Sequence, residues 1–285
     1  MTIEAVVNPR RDPVPVGQHV HKVGYANRLM KKKRCKRRIN KRSEAKVPMA
    51  LQELYMSCRE VFKGPGTVPL PDDVERLCHI LGRSTLLSTT DAAALKTMKP
   101  EDVGLSSELP FFKTKNAVNG TQRVTTTTIY KCDEFSLCLF FLPATAVIPL
   151  HNHPGMTVFS KLLLGTMHIK SYDWVSPPSA EEPVQPSHVR LARLVMDSVF
   201  TAPCNTSVLY PTTGGNIHQF TASTPCAVLD VLGPPYAKED GRDCSYYKDF
   251  PYDAFSDGEK ELTEEGAVLD GWKRLRRQRI QRWIG

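Results

Sequence analysis

The sequence contains few cysteines, no long apolar run and no internal repeat, and these absences exclude several classes of protein. Eight cysteines among 285 residues are too sparse for a disulfide-stapled scaffold. The longest apolar run, Leu137 to Leu150, is interrupted by Pro143 and is too short to cross a bilayer. The first residues also lack the apolar core of a secretory signal. We therefore expect an intracellular protein with reduced cysteines and no membrane association.

Hydrophobic residues make up 41% of the chain and charged residues 24%, which is typical of a globular protein. The net charge of +8 is spread unevenly. Residues 1–47 carry 14 Lys/Arg against 3 Asp/Glu, and residues 271–285 carry 6 Lys/Arg and no acid. The stretch 48–270 has 18 basic and 27 acidic residues. The basic character therefore belongs to the two ends of the chain.

The N-terminal charge is concentrated in the run Lys31–Arg38, which lies in a segment with few large apolar residues. Such a block is typical of disordered chain, and we interpret residues 1–47 as a disordered basic leader. Short Lys/Arg-rich runs favour a nuclear import signal, so we expect the protein in nucleus and cytoplasm. A merely solvated tail and DNA binding remain alternatives, although we expect no direct contact with nucleic acid.

The hydrophobic pattern predicts two helices followed by many short strands. Residues 49–63 have helical spacing, and a second helix capped by Asp72 or Asp73 would run through Leu81, just before Gly82. From residue 122 onward, short apolar and β-branched runs alternate with Pro, Gly and His, which predicts strands. The predicted strands are 122–130, 135–142, 147–150, 157–163, 166–173, 189–196, 199–202, 208–210, 218–222 and 227–232.

This order favours an all-β sandwich or barrel. We assign the β domain to residues 48–255 and interpret residues 256–285 as a polar, basic tail, in which Leu262–Ile284 would form a weak helix or a frayed end. The predicted fold class is therefore mainly β, with a barrel and short N-terminal helices.

Three of the eight histidines stand in a pattern that favours metal binding. His151 and His153 form His-Asn-His at the end of an apolar run, and side chains two residues apart on a strand point to the same face. His218 begins another short strand after Gly214-Gly215. Two imidazoles at i and i+2 alone are a weak signal, but a third histidine strengthens it.

These two segments fit the two-part motif of the cupin barrel, a double-stranded β-helix or jelly roll. His151, His153 and Gly165 match the first part, but Val158 stands where that motif has glutamate. In the second part, Gly215 and His218 match and Ala222 replaces asparagine. Without the glutamate, three neutral imidazoles leave Fe(II) with its full charge, which favours an anionic ligand such as a thiolate. The absence of C-x-x-C spacing argues against structural zinc.

Four stretches resemble the plant cysteine oxidases, relatives of the animal cysteamine dioxygenase, from about residue 50 to 255. They are Ile148–Lys161, Gly165–Trp174, Gly214–His218 and Val228–Tyr236. The resemblance implies a thiol dioxygenase that uses Fe²⁺, held by His151, His153 and His218, and no other cofactor. It also implies that O₂ is the co-substrate, and that both oxygen atoms go to sulfur.

The substrates implied by this resemblance are proteins that begin with cysteine, notably group VII ethylene-response transcription factors. The product would be N-terminal cysteine sulfinic acid, which marks the protein for the N-degron pathway and makes the enzyme an oxygen sensor in the hypoxia response. Members of the family are usually monomeric, and we expect a monomer here.

By the same resemblance, Asp230 and Tyr236 are candidate catalytic residues. Asp230 would hold the substrate's α-ammonium or take part in proton transfer, and a buried Asp satisfied by backbone amides is the alternative. Tyr236 would place its hydroxyl near the iron, and a packing tyrosine is the alternative. Cys244 also matches a family position, where an inert buried thiol is favoured over a redox role. The basic C-terminus departs from the family pattern and puts the packing of the last residues in doubt.

Two other functions are consistent with the sequence. One is a dioxygenase of a free small thiol, although no arginine beside the histidine motifs is available to hold a free carboxylate. The other is an inactive metal-binding cupin that serves as a nuclear interaction module.

Overall fold

The computed structural model describes residues 47–82, 97–113, 123–176, 189–251 and 272–278. All of them belong to a unit that spans Lys46–Gly285. The predicted disordered leader lies outside the described residues, except for Val47. Within the described residues, no helix is both long enough and apolar enough to cross a membrane.

Two helices precede the strands, as predicted. α1 spans Met49–Val61 and α2 spans Pro71–Leu81. Gly82 ends α2 in a left-handed conformation with φ of 92°, which glycine adopts without strain. The predicted cap at Asp72 or Asp73 is wrong, because the helix begins at Pro71 and both aspartates lie in its first turn. Proline fits this position because the first helical N–H has no partner within the helix. The short helix α3 follows at Pro110–Lys113, and 3₁₀ turns lie at Pro100–Val103 and Lys238–Asp240.

Eleven strands are described: β1 Thr125–Lys131, β2 Ser136–Leu142, β3 Val147–Asn152, β4 Thr157–Leu164, β5 Thr166–Trp174, β6 Val189–Thr201, β7 Ser207–Leu209, β8 Ile217–Ala222, β9 Cys226–Gly233, β10 Tyr246–Pro251 and β11 Trp272–Gln278. Nine of them match the predicted series, with the two predicted segments at 189–196 and 199–202 merged into β6. The two strands that the sequence pattern missed are β10 and β11.

The strands form two antiparallel layers. One is a five-stranded sheet in the order β1-β2-β9-β4-β7, and the other is a closed barrel in the order β10-β11-β6-β5-β8-β3. The predicted fold class, mainly β with a cupin-type barrel and short N-terminal helices, is confirmed.

The strand alternation of the five-stranded sheet separates two environments. Leu229 and Val231 of β9 pack in a core with Leu54 of α1 and Leu77 of α2, so the helices cover this face. The alternate residues of β9, Val228 and Leu232, belong to different apolar clusters on the opposite face. That opposite face also carries Asp230, because side chains two residues apart share a face.

The tail contributes a strand to the barrel, so the prediction of a weak helix or a frayed end is wrong for Trp272–Gln278. β11 pairs with β10 on one side and with β6 on the other. Leu275 is its buried apolar residue and packs with Tyr172 and Ile217 inside the barrel. The domain limits at residues 47 and 255 remain predictions.

Candidate metal centre

The three predicted ligand histidines converge between the barrel and the five-stranded sheet. His151 and His218 stand directly opposite each other on the paired strands β3 and β8, and His153 follows the end of β3. The ring centroids of the three histidines are 4.7–4.9 Å apart. All three side chains are buried, and their candidate donor nitrogens lie within 4.8 Å of one another.

A bulge in β3 puts His151 in this position. The pairing with β8 shifts register between Ile148 and His151, so that His151 rather than Leu150 stands opposite His218. Pro149 lies within the bulge, where its missing N–H does not break a ladder hydrogen bond. Its carbonyl oxygen accepts a 2.8 Å hydrogen bond from His151 Nδ1. The bulge therefore aims the ring and places the ring proton on Nδ1, so Nε2 carries the lone pair that a metal ion requires.

The other two rings are held in similar ways. The Tyr236 hydroxyl donates to the Asn152 carbonyl oxygen at 2.9 Å, so it accepts the 2.9 Å hydrogen bond from His153 Nδ1. The His218 ring hydrogen-bonds the backbone of Gly215 and stacks on Phe220 with centroids 4.6 Å apart. Metal-ligating histidines commonly donate their second ring N–H to such oxygen partners.

The arrangement fits a metal ion. The Nε2 atoms of His153 and His218 face each other at 3.4 Å. Two nitrogens bound to one ion at about 2.1 Å would lie about 3.0–3.4 Å apart at angles between 90° and tetrahedral. Burial lowers the pKa of His151 to about 4, and burial and the neighbouring histidines lower the pKa values of His153 and His218 well below their usual range. The three imidazoles are therefore neutral at neutral pH, as ligands must be.

Asn216 links the two ligand segments, and the sequence pattern did not single it out. Its Oδ1 accepts from the His153 backbone N–H at 3.1 Å, and its Nδ2 donates to the carbonyl oxygens of His153 at 2.8 Å and Tyr210 at 2.7 Å. Asp173 Oδ1 in turn accepts 2.9 Å hydrogen bonds from the backbone N–H groups of Gly215 and Asn216. The position of Asn216, two residues before His218, is the sequence signal that could have drawn attention to this clamp.

Gly215 is required in this clamp. Its φ is 82°, and a Cβ atom there would collide with the Ser171 side chain on the neighbouring strand β5. The Gly-Gly-Asn-Ile-His sequence therefore combines a left-handed turn, a clamp and a ligand within a few residues.

Asp230 lies on the opposite wall, in the middle of β9, with Cys138 and Ser160 as its partners across the sheet. Cys138, Leu232 and Tyr236 pack in one cluster on this face, which connects Asp230 with the histidine site. Burial raises the pKa of the Asp230 carboxyl to about 7, although a hydrogen bond with Ser160 lowers it. Among the described residues, Asp230 Oδ1 has no hydrogen-bond partner. Backbone amides therefore do not satisfy this oxygen, as the alternative interpretation of Asp230 required.

Three other residues singled out in the sequence do not belong to the histidine triad. Val158, which replaces the cupin glutamate, is buried in an apolar cluster. Burial raises the pKa of the Cys244 thiol, which contacts the Tyr236 hydroxyl. His168 forms a surface pair with Asp197, with Nε2 and Oδ1 2.6 Å apart.

Arg242 packs against the turn that follows His153. Its Cδ lies 3.7 Å from a Cβ built on Gly155, and its guanidinium contacts Asp240 and the Pro235 carbonyl oxygen. The sequence has no arginine beside the histidine motifs, but the fold brings Arg242 to the turn after His153 from about 90 residues downstream. Its pairing with Asp240 leaves it poorly suited to hold a free carboxylate.

Comparison with known proteins adds a family to this geometry. A family model described as PCO_ADO matches residues 94–281. Plant cysteine oxidase 1 of Arabidopsis thaliana is 47% identical over 227 residues, which cover 78% of this chain and 71% of that protein. Plant cysteine oxidase 2 of the same plant is 45% identical over 247 residues, covering 86% and 82%. Human 2-aminoethanethiol dioxygenase is 39% identical over 211 residues, covering 67% and 72%.

Among solved structures, a double-stranded β-helix protein of Klebsiella pneumoniae aligns with a TM-score of 0.31 and 11% identity, over 46% of this chain and 88% of its own. A cupin superfamily protein of Desulfitobacterium hafniense aligns with a TM-score of 0.29 and 13% identity, over 46% and 95%.

Proposed function

Because the chain belongs to the PCO_ADO family of thiol dioxygenases, we propose that it oxidises the N-terminal cysteine of target proteins to cysteine sulfinic acid. The observation that carries this proposal is the buried triad of neutral histidines, together with a buried carboxyl on the facing wall. The plant relatives named cysteine oxidases support cysteine as the substrate group.

His151, His153 and His218 would hold Fe(II), which would supply the one-electron chemistry by which a thiolate reacts with O₂. Three neutral ligands keep the full positive charge of the ion available, so the site favours the deprotonated thiol. The hydrogen bonds to Pro149, Tyr236 and Gly215 keep each ring in one orientation and one tautomer.

Asp230 holds the α-ammonium of the substrate cysteine or takes up a proton from it. Its unpartnered Oδ1 faces the interior and is available as an acceptor, and a cation beside it would compensate the buried charge. Tyr236 acts on the other side of the site, where its hydroxyl orients His153. That contact supports a positioning role in addition to the catalytic role predicted for this residue.

In the cell, this activity would make the protein an oxygen sensor in the hypoxia response. The proposed targets are group VII ethylene-response transcription factors, whose oxidised N-terminus would enter the N-degron pathway. The basic run in the leader supports a location in nucleus and cytoplasm, near such substrates. We propose a monomer.

A free small thiol is the second candidate substrate. The 39% identity to human 2-aminoethanethiol dioxygenase favours it, because the name of that protein specifies a small aminothiol. Both candidates share an amine two carbons from the thiol, so Asp230 would serve either one.

The test is mass spectrometry of a peptide with a free N-terminal cysteine, incubated with the iron-loaded protein and isotopically labelled O₂. We expect two labelled oxygen atoms in the peptide, only when protein and O₂ are both present. Oxidation of 2-aminoethanethiol but not of the peptide would move the assignment to the small thiol. Oxidation of neither, with iron confirmed in the protein, would favour the inactive nuclear module.

A further inference from the structure

The face of the barrel that carries the histidine site continues onto β10. This strand joins β3 through the single pair Tyr246 and His151, whose side chains therefore lie on the same side. Their ring centroids are 6.2 Å apart. Because every second side chain of a strand shares a face, Lys248 and Phe250 follow Tyr246 on this side, at increasing distance from the triad.

The neighbouring strand β11 adds cations to the same face. Arg276 stands opposite Lys248, and Arg274 stands opposite Phe250. The Arg276 guanidinium lies over the Phe250 ring at 5.1 Å, and the Lys248 ammonium lies over the same ring at 5.4 Å. We call this surface of Lys248, Phe250, Arg274 and Arg276 the basic strip.

The charges of Lys248 and Arg276 are not balanced by the acid of these two strands. Asp249 is the carboxylate of β10, and it points into the barrel, where it accepts hydrogen bonds from Lys170 at 2.6 Å and Tyr172 at 2.9 Å. Lys248 and Arg276 are exposed, and no carboxylate in the described part of the chain lies within ion-pair distance of either.

We propose that the basic strip binds an acidic segment of the polypeptide substrate, a few residues after the cysteine that enters the metal site. This inference rests on the proposed function. From Tyr246 to Phe250 the strand extends about 13 Å, which an extended peptide covers in about four residues. Phe250 gives the segment an apolar surface to pack on, and Lys248 and Arg276 complement carboxylates beside it. The strip thus selects substrates by the charge of the chain that follows the cysteine.

The experiment compares three peptides of equal length that begin with the same cysteine-containing tripeptide. Their next four residues are acidic, neutral amide or basic. The enzymes are the iron-loaded full chain, the double variant Lys248→Gln/Arg276→Gln, and a control, Lys63→Gln/Lys131→Gln, which removes two exposed charges just after α1 and in β1. The kinetic parameters kcat and KM are measured at low and at high salt.

With the full chain at low salt, we expect the acidic peptide to have a KM about fivefold below that of the neutral peptide, and a similar kcat. The double variant and high salt should each remove this advantage, whereas the control variant should keep it. The control variant should match the full chain in its KM for the neutral peptide.

Equal KM values for acidic and neutral peptides in the full chain would overturn the basic strip and leave the proposed function intact. Failure to oxidise any peptide would contradict the proposed function itself. A strip that binds an oligonucleotide, with binding lost in the double variant and no difference between the peptides, would reassign this surface to nucleic acid.

Discussion

The two walls of the site differ in whether their buried polar groups have hydrogen-bond partners. On the barrel wall, each ligand histidine has an oxygen partner for its ring, and Asn216 uses both atoms of its amide. On the sheet wall, Asp230 Oδ1 has no partner among the described residues. The barrel wall is therefore complete before any ligand arrives, whereas the sheet wall is completed by what it binds.

This difference indicates that the two walls have different roles in metal binding and in turnover. An unpaired buried carboxyl costs stability, and such a cost persists at functional sites. A preorganised ligand set needs no rearrangement when the metal binds. We therefore expect substitutions on the barrel wall to affect metal binding first, and substitutions on the sheet wall to affect turnover first.

Removing a ligand should have the largest effect. His218→Ala leaves two of the three imidazoles. Iron affinity and activity should each fall by more than about a hundredfold, which exceeds the usual loss when a hydrogen-bond partner of a metal ligand is removed. The barrel should stay folded, because the smaller alanine can be accommodated at this buried position of β8. Iron content, turnover and circular dichroism check this, with His168→Ala as the control at the surface of the neighbouring strand. Normal iron in the His218 variant would refute the ligand set.

Breaking the clamp should have the second-largest effect. Asn216→Ala removes the hydrogen bonds to both the N–H and the carbonyl oxygen of His153, so iron affinity should fall about ten- to a hundredfold. Gln219→Ala is the matched control, because its amide lies next to His218 and contacts only Thr221 in the described hydrogen bonds. Iron dissociation measured with a competing chelator checks this. Equal dissociation rates in both variants would show that Asn216 does not position the triad.

Tyr236→Phe should weaken the same wall by a smaller amount. The phenylalanine keeps the packing but leaves His153 Nδ1 without its oxygen partner. We expect iron affinity to fall about tenfold and the spectroscopic signature of the iron to change. A change in turnover alone, with unaltered affinity and spectrum, would indicate that Tyr236 acts on the substrate rather than through His153.

On the sheet wall, removing the charge of Asp230 should stabilise the folded protein rather than weaken it. Burial raises the pKa of Asp230 from 3.8 to about 7, so the folded chain binds more protons than the unfolded chain between these values. Its contribution to stability therefore falls as pH rises from about 4 to 7. In the metal-free protein at about pH 8, Asp230→Asn should raise the free energy of unfolding by more than about 1 kcal/mol. Thermal melts at about pH 4 and pH 8 measure the difference, and equal gains at both would exclude a buried charge as the cause.

The sequence predicted the triad because His-Asn-His and Gly-Gly-Asn-Ile-His are short motifs that can each be recognised whatever the length of chain between them. It did not predict the bulge at Pro149, because a one-residue shift depends on the pairing with β8. It missed β11, since a strand with Leu275 as its buried residue and cations around it has no apolar alternation. It also missed the clamp of Asp173 and Asn216, whose partners are backbone groups on distant strands.

The most direct test of the division between the two walls is the Asp230→Asn variant, loaded with Fe(II) and assayed with a peptide that begins with cysteine. We predict a full complement of iron and unchanged iron affinity, with kcat reduced about a hundredfold or more. Loss of iron in this variant, or normal kcat with normal iron, would contradict the account.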